Sequence, residues 1–334
     1  MKRILLISLS PARSFCACHI FRFMINYYTR GSLLIAFLIL SFHLFGAQKL
    51  SYTYSLNGNK MQWDVMSWFA MPGDTLYIQF SGTNDGKFFA KYTAGDLMED
   101  SQLSWRYVVP EKTGLYPMTI LHGGTDEKLM LNIFVKMPAS RQKGEYINGY
   151  RIGNYPVKPY KNNPKYLPPD GFIEITQENQ DTRITPHLQL KQFLCKQQPG
   201  QWPKYLLLDT RLLIKLEMII DILEQRGLAK GMFIMSGYRT PYYNASIGQG
   251  KYSRHIYGDA ADIYVDDNLD GEIDDLNRDG KASMGDADVI YNIVEKIEKD
   301  PANKQLVGGM GKYRKTSTHT WDVHVDTRGF RARW

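Results

Sequence analysis

The sequence is poor in cysteine. Three occur in 334 residues, and Cys16 and Cys18 both fall in the first 46, so Cys195 stands alone in the rest and no intrachain disulfide can form there. Stability must then come from hydrophobic cores, and a chain of this length with 43% hydrophobic residues can build two. Cys195 lies in the apolar stretch LKQFLCKQ and reads as a buried, inert thiol rather than a nucleophile. Excess charge is also lacking. The formal charge is +7, but residues 1–46 hold Lys2, Arg3, Arg13, Arg22 and Arg30 and no acid, which leaves 36 basic against 34 acidic residues beyond them. Nucleic acid is therefore not an expected partner, because phosphate binding needs a concentrated basic surface. The run Ser32 to Ala47 (SLLIAFLILSFHLFGA) is too short to span comfortably, since a spanning helix needs about 20 apolar residues. It follows Arg30 and ends in small residues, the layout of a secretory signal peptide. Residues 1–47 are read as leader and signal peptide, with the true start at Met24. The expected location is exported, in the periplasm or cell envelope. No stable membrane span is expected after cleavage, and an uncleaved signal would act as an anchor.

Turn-formers and β-rich runs alternate from about residue 48 to 137: TLYIQF, SWRYVV, YPMTIL and LMLNIFVKM are separated by MPGD, GTNDG and HGGTDEK. This pattern predicts an all-β, immunoglobulin-like sandwich with a spacing or binding role, and His122 in it is a turn residue. Prolines break every candidate element over 138–170, so a Pro- and Tyr-rich connector is expected there. Residues 171–334 form the second domain. DTRLLIKLEMIIDILEQRG has apolar residues at helical spacing and ends at Gly227, and GDADVIYNIVEKIEK, from Gly285, gives a second helix. MFIMSGYR, ADIYV and WDVHVD read as strands. Their mixed order predicts an α+β domain, a small antiparallel sheet with helices.

Two segments of that domain carry candidate chemistry. SRHIYGDAADIYV (Ser253 to Val265) puts His255 seven residues before Asp262, which opens a strand, with a turn at Gly258. WDVHVD alternates so that Asp322, His324 and Asp326 share one strand face. If the two strands are neighbours, His255, Asp262 and His324 converge. Two imidazoles and one carboxylate with an open fourth position suit a catalytic zinc ion, whereas structural zinc sites are usually closed and rich in cysteine. Singly, each histidine reads more simply as an ordinary core or surface residue; it is the pairing of the segments that points to a metal.

SGYRTPYYN, SRHIYGDAAD and VHVDTRG together resemble the zinc D-alanyl-D-alanine carboxypeptidase family and its peptidoglycan endopeptidase relatives, of hedgehog-type metallopeptidase fold, over about residues 171–334. The family pattern Ser-x-His-x-x-Gly-x-Ala-x-Asp is matched by Ser253, His255, Gly258, Ala260 and Asp262, and the resemblance implies His324 as the second histidine ligand. It also implies that Arg239, in the Ser-Gly-Tyr-Arg type motif beside Tyr238, binds the substrate carboxylate, with Ser253 close by; a structural salt bridge is the other use of such an arginine. Many relatives carry the base three residues before that histidine, where this chain has Trp321, which cannot accept a proton. Asp322 is the chosen base and Asp326 the fallback, unless Asp326 orients His324. His319 is a candidate for stabilising the oxyanion or the leaving group.

The insertion 266–286 crowds eight acidic residues together. Asp275, Asn277, Asp279, Lys281, Ser283 and Asp286 fall at first, third, fifth, seventh, ninth and twelfth positions, with Gly280 at the turn, which is the spacing of a calcium loop of the dockerin type. A solvated acidic loop is the simpler alternative. The expected function is zinc-dependent hydrolysis of peptidoglycan stem or cross-link peptides next to D-alanine, by a carboxypeptidase or endopeptidase. A non-catalytic wall-binding or sensory module that keeps the metal site, and a zinc hydrolase of another amide, remain open.

Overall fold

The structure, a computed structural model, describes residues 49–83 and 87–334; the leader, the signal peptide and Met24 lie outside the described residues. Nine strands open the fold: β1 (Lys49–Leu56), β2 (Asn59–Trp63), β3 (Val65–Ala70), β4 (Thr75–Ser81), β5 (Phe88–Tyr92), β6 (Asp96–Ser101), β7 (Ser104–Val108), β8 (Gly114–His122) and β9 (Lys128–Val135). They form one sheet in the order β2-β1-β4-β7-β6 and another in the order β3-β9-β8-β5, in which β3 runs parallel to β9. Period-two alternation sets what each strand buries: in β4 the side chains of Leu76, Ile78 and Phe80 go inward while Tyr77 and Gln79 face water. Aromatic rings join the sheets. Phe80 of β4 stacks on Phe88 of β5 with centroids 3.9 Å apart, and Trp105 of β7 meets Phe80 edge-on at 5.0 Å.

The proline-rich segment is more ordered than its sequence suggests. It holds β10 (Met137–Pro138), a small hairpin of β11 (Tyr146–Ile147) and β12 (Tyr150–Arg151), and 3₁₀ turns at Tyr160–Asn162 and Pro164–Tyr166. Ile147, Tyr150, Ile152 and Tyr166 are buried. The prolines stop long elements, but apolar side chains between them still find a core. That core is continuous from the first sheets onward, and the described residues fall in one compact unit. Across it, the Trp63 indole donates to Asp221 at 3.1 Å and the Asn132 amide donates to the Arg183 carbonyl at 2.7 Å.

Beyond the connector come β13 (Gly171–Ile175), β14 (Lys204–Leu206), α1 (Thr210–Gln225), β15 (Phe233–Ser236), α2 (Pro241–Ser246), β16 (Ala260–Tyr264), α3 (Met284–Lys299), β17 (Gly309–Tyr313), β18 (Asp322–Asp326) and β19 (Ala332–Arg333). Asp209 caps α1, its carboxylate accepting from the Arg211 amide at 2.8 Å, and Gly227 beyond the helix takes a left-handed φ of 62°. A five-stranded sheet in the order β15-β16-β18-β17-β19 carries the chemistry; its pairs are antiparallel except β17 with β19. Its two faces differ. Ile263, Val323, Val325 and Met310 turn into the core, where α3 packs against β17 and β18 and α1 packs against α3. Asp262, Asp322, His324 and Asp326 occupy the other face. The fold is thus α+β, with many antiparallel strands and few helices. No helix among the described residues is long and apolar enough to cross a membrane.

Between the 3₁₀ turn Arg254–Tyr257 and β16, Gly258 has φ 73°, and a Cβ there would lie 2.3 Å from the Leu207 carbonyl carbon. Neither the dihedral nor the space admits a side chain. Gly258→Ala is expected to cost about 2 kcal/mol or more. Urea unfolding monitored by fluorescence measures this, and unchanged stability would show that the turn can relax.

Candidate metal centre

β16 and β18 are neighbours, and Asp262 stands directly opposite His324 in their register. His255 enters from the 3₁₀ turn Arg254–Tyr257, which a buried ion pair anchors: Arg254 donates to Asp259 from Nε at 2.9 Å and from Nη2 at 2.7 Å. The same guanidinium lies against the rings of Tyr166 and Tyr257, 4.4 and 4.6 Å from their centroids, and its Nη1 donates to the Lys165 carbonyl at 2.9 Å. The connector therefore helps to hold His255.

His255, Asp262 and His324 are buried, and they offer one ligand atom each within 4.8 Å of one another, the one such group found among the described residues. Asp262 Oδ1 lies 3.2 Å from His255 Nε2 and 2.8 Å from His324 Nδ1, and those two nitrogens are 3.2 Å apart. The outer nitrogens face groups that can only accept: His255 Nδ1 is 2.7 Å from the Gly237 carbonyl, and His324 Nε2 is 3.2 Å from Asp326 Oδ2. Both outer nitrogens must carry their protons, so in the neutral rings the inner nitrogens direct lone pairs at one point beside a carboxylate. Donor chemistry and tautomers fit a divalent metal of the zinc class.

The charges agree. Burial pushes the His255 pKa down, which keeps it neutral. Burial alone would raise the Asp262 pKa, but His255 and His324 outweigh it and hold the carboxyl well below its ordinary range. Burial opposes charge on His324 as well, yet its bonds to Asp262 and Asp326 push its pKa up to about 9. In the metal-free protein a proton on Nδ1 thus occupies the place a cation would take.

Other candidates surround this centre. Arg239 donates from Nη2 to Asp262 Oδ2 at 2.6 Å and from Nε to Ser236 Oγ at 2.9 Å. It is in a salt bridge with a candidate ligand, and its Nη1 has no partner among the described residues. Ser253 precedes the turn that carries His255 and lines the same cleft, whose volume is about 540 Å³. Asp322 lines the cleft as well. It is fully buried, and neither carboxylate oxygen has a hydrogen-bond partner. His319 Nδ1 comes within 3.1 Å of Asp322 Oδ2 but is directed at the Thr320 carbonyl, 2.8 Å away. Burial, followed by the charge of Asp262, pushes the Asp322 pKa up to about 8.

Asp326 sits on the far side of the His324 ring. Its oxygens accept from the Gly309 amide at 2.7 Å and from Arg328 Nε at 2.8 Å, so the carboxylate is fully engaged. Burial would raise its pKa, but the bonds from His324 and Arg328 hold it far below the ordinary range. This leaves it the place of an orienting partner rather than of a base. The expectation that Tyr238 contacts substrate needs correction: its ring is 1% exposed and its hydroxyl meets that of Tyr155 at 2.9 Å, so the phenol is spent inside the protein. Residues that sequence reasoning missed also line the cleft, chiefly Tyr252, Tyr313, Arg328 and Trp334.

In the acidic insertion, the oxygens of Asp275, Asn277 and Asp279 accept backbone amides of the turn, as in Asp275 Oδ2 from Gly280 at 2.7 Å. Ser283 caps α3 and Asp286, in its first turn, closes the capping box, accepting from the Ser283 amide at 2.7 Å and the Asn277 amide at 3.1 Å, while Lys281 contributes its amide to Asp279. No group of three acidic or histidine side chains converges there among the described residues. Calcium therefore gains no support from the geometry. Calorimetry at millimolar calcium is the check: heat that Asp275→Ala abolishes would restore the calcium reading.

The cluster has the donor set, two imidazoles and a carboxylate, that could hold a metal ion. Residues 186–289 match the family Peptidase M15, the zinc D-alanyl-D-alanine carboxypeptidase type that the motifs resemble. That segment contains Arg239, His255 and Asp262, while Asp322 and His324 follow it. Searches of curated proteins and of solved structures find no match.

Zinc requires neutral His324, whose pKa without metal is about 9, so binding below that pH releases a proton. Apparent zinc affinity should then rise about tenfold per pH unit from 6 towards 9 and level off above. Competition with a chromophoric chelator across that range measures it, and a flat profile would refute the assignment. His324→Ala should lose the metal altogether.

Proposed function

We propose that the protein is an exported zinc peptidase that hydrolyses peptidoglycan stem or cross-link peptides next to D-alanine, as a carboxypeptidase or endopeptidase. The observation that carries this reading is the buried His255, Asp262 and His324 group beside a buried carboxylate without a hydrogen-bond partner, Asp322, in one open cleft. The family match supports a peptide as substrate.

Zinc held by the trio would polarise the scissile carbonyl and lower the pKa of bound water from about 15.7 towards 7. Asp322 is the base. It lies two residues before His324 on the same strand face and has no hydrogen bond that must break before it takes a proton. Burial raises its pKa in the metal-free protein and so favours the protonated form; a cation held by the trio would favour the carboxylate, which takes the water's proton and then returns it to the leaving amine. Arg239 has Nη1 to offer a substrate carboxylate, and Ser253 lies close enough to contribute to the same pocket. His319, whose Nε2 has no partner among the described residues, is placed to stabilise the oxyanion or the leaving group. Asp326 keeps His324 in its tautomer.

The N-terminal sheets support an immunoglobulin-like reading. Counting β1 as strand A and β4 to β9 as B to G, one sheet runs A-B-E-D and the other G-F-C, with β3 alongside G. An exported location in the periplasm or cell envelope matches both a wall substrate and the apolar leader.

Mass analysis of muropeptides incubated with the zinc-loaded protein tests the function: loss of a terminal D-alanine identifies a carboxypeptidase and an internal cut an endopeptidase. No hydrolysis despite stoichiometric zinc would favour a wall-binding or sensory module. Asp322→Ala should keep zinc and lose turnover by a factor on the order of 10² to 10⁴. Full activity in that variant would remove Asp322 from the mechanism.

A further inference from the structure

Tyr313 and Trp334 are among the cleft residues that have no part in the roles above. One row across the sheet reads Ser236, Asp262, His324 and Gly311, on β15, β16, β18 and β17, and the parallel pairing of Met310 with Arg333 brings Trp334 beside Gly311. Gly311 has no side chain, and the Trp334 indole fills its space: a Cβ on Gly311 would lie 2.3 Å from the indole nitrogen. The indole thereby reaches the metal centre, with its ring 5.1 Å from that of His324. Two residues further along β17, Tyr313 stands opposite Asp322, and both line the cleft.

The Trp334 Nε1 and the Tyr313 hydroxyl oxygen are 2.8 Å apart. An indole N–H can only donate, which makes the phenol oxygen the acceptor. The proton of Tyr313 meets no acceptor among the described residues, and the side chain is 39% exposed at the cleft. Its free donor is therefore left for something that enters the cleft.

We propose that Tyr313 is a substrate-binding residue of the peptidase, its hydroxyl donating to a carbonyl oxygen of the bound peptide beside the scissile bond. Trp334 is the positioning residue that holds the phenol in place through the indole N–H. This rests on the peptidase reading above. A peptide carbonyl is the fitting partner because it is a neutral acceptor in a cleft that already holds the carboxylates of Asp262 and Asp322.

Kinetics with the zinc-loaded full chain on a purified muropeptide test it by a double-mutant cycle. Tyr313→Phe should lower kcat/KM on the order of tenfold to hundredfold, with zinc stoichiometry and Tm unchanged. Trp334→Phe keeps an aromatic ring but removes the N–H, and should cost several-fold, about 0.5 to 1 kcal/mol. In the Tyr313→Phe background, Trp334→Phe should cost nothing more, because the proton it positions is already gone. Unchanged kcat/KM in Tyr313→Phe would overturn the proposal, as would two losses that simply multiply. A wild-type protein that binds zinc but cleaves no muropeptide would instead overturn the peptidase reading, and this inference with it.

Discussion

The site depends on one buried carboxylate. Asp262 accepts from His324 on one oxygen and from Arg239 on the other, with the neutral His255 ring beside them, so a charge that would be costly to bury is matched by two cationic groups. Its position follows from register. Asp262 and His324 are direct cross-strand partners, and a slip of one residue in β18 would turn His324 into the apolar core and bring a valine beside Asp262. Because Ile263, Val323 and Val325 fill that core, packing under the sheet enforces the alignment above it.

Space is managed as closely as charge. Gly309 and Gly311 leave β17 bare on the site face, and the vacated room is taken by Asp326 with Arg328 and by the Trp334 indole. Below the sheet, fully buried Lys215 of α1 donates to Glu298 at 2.5 Å, to the Leu306 carbonyl at 3.1 Å and to the Asp326 carbonyl at 2.8 Å. Burial lowers its pKa, and the acceptors around it, led by Glu298, offset only part of that effect. The main helix thus fixes the backbone beyond His324 as well as filling the core.

Much of this was legible because periodicity and spacing report local geometry. The strands around TLYIQF, ADIYV and WDVHVD, both long helices and the convergence of His255, Asp262 and His324 all follow from alternation, helical spacing and a turn at Gly258. β17 escaped notice because GGMGKY has no strand propensity; its glycines answer to bulky neighbours contributed by other parts of the chain. The motif around Tyr238 gives adjacency along the chain but not which side of the backbone a ring occupies. Prolines mark the connector in the sequence, whereas its tyrosines decide its place. Tyr313 and Trp334 carry no local signal, since only the parallel pairing of β17 with β19 brings them together.

The clasp around Arg254 bears on modularity. Tyr166 covers one face of the guanidinium and the Lys165 carbonyl accepts from it, while Tyr155 donates to the Ile256 carbonyl at 2.8 Å, inside the turn that carries His255. These groups precede Gly171, where the second domain begins by sequence. Recombination that joined a foreign partner at that point would leave the arginine half uncovered and the histidine turn unbraced. The turn that carries His255 is therefore braced from outside the stretch that bears the ligands, and the connector's tyrosines must travel with it.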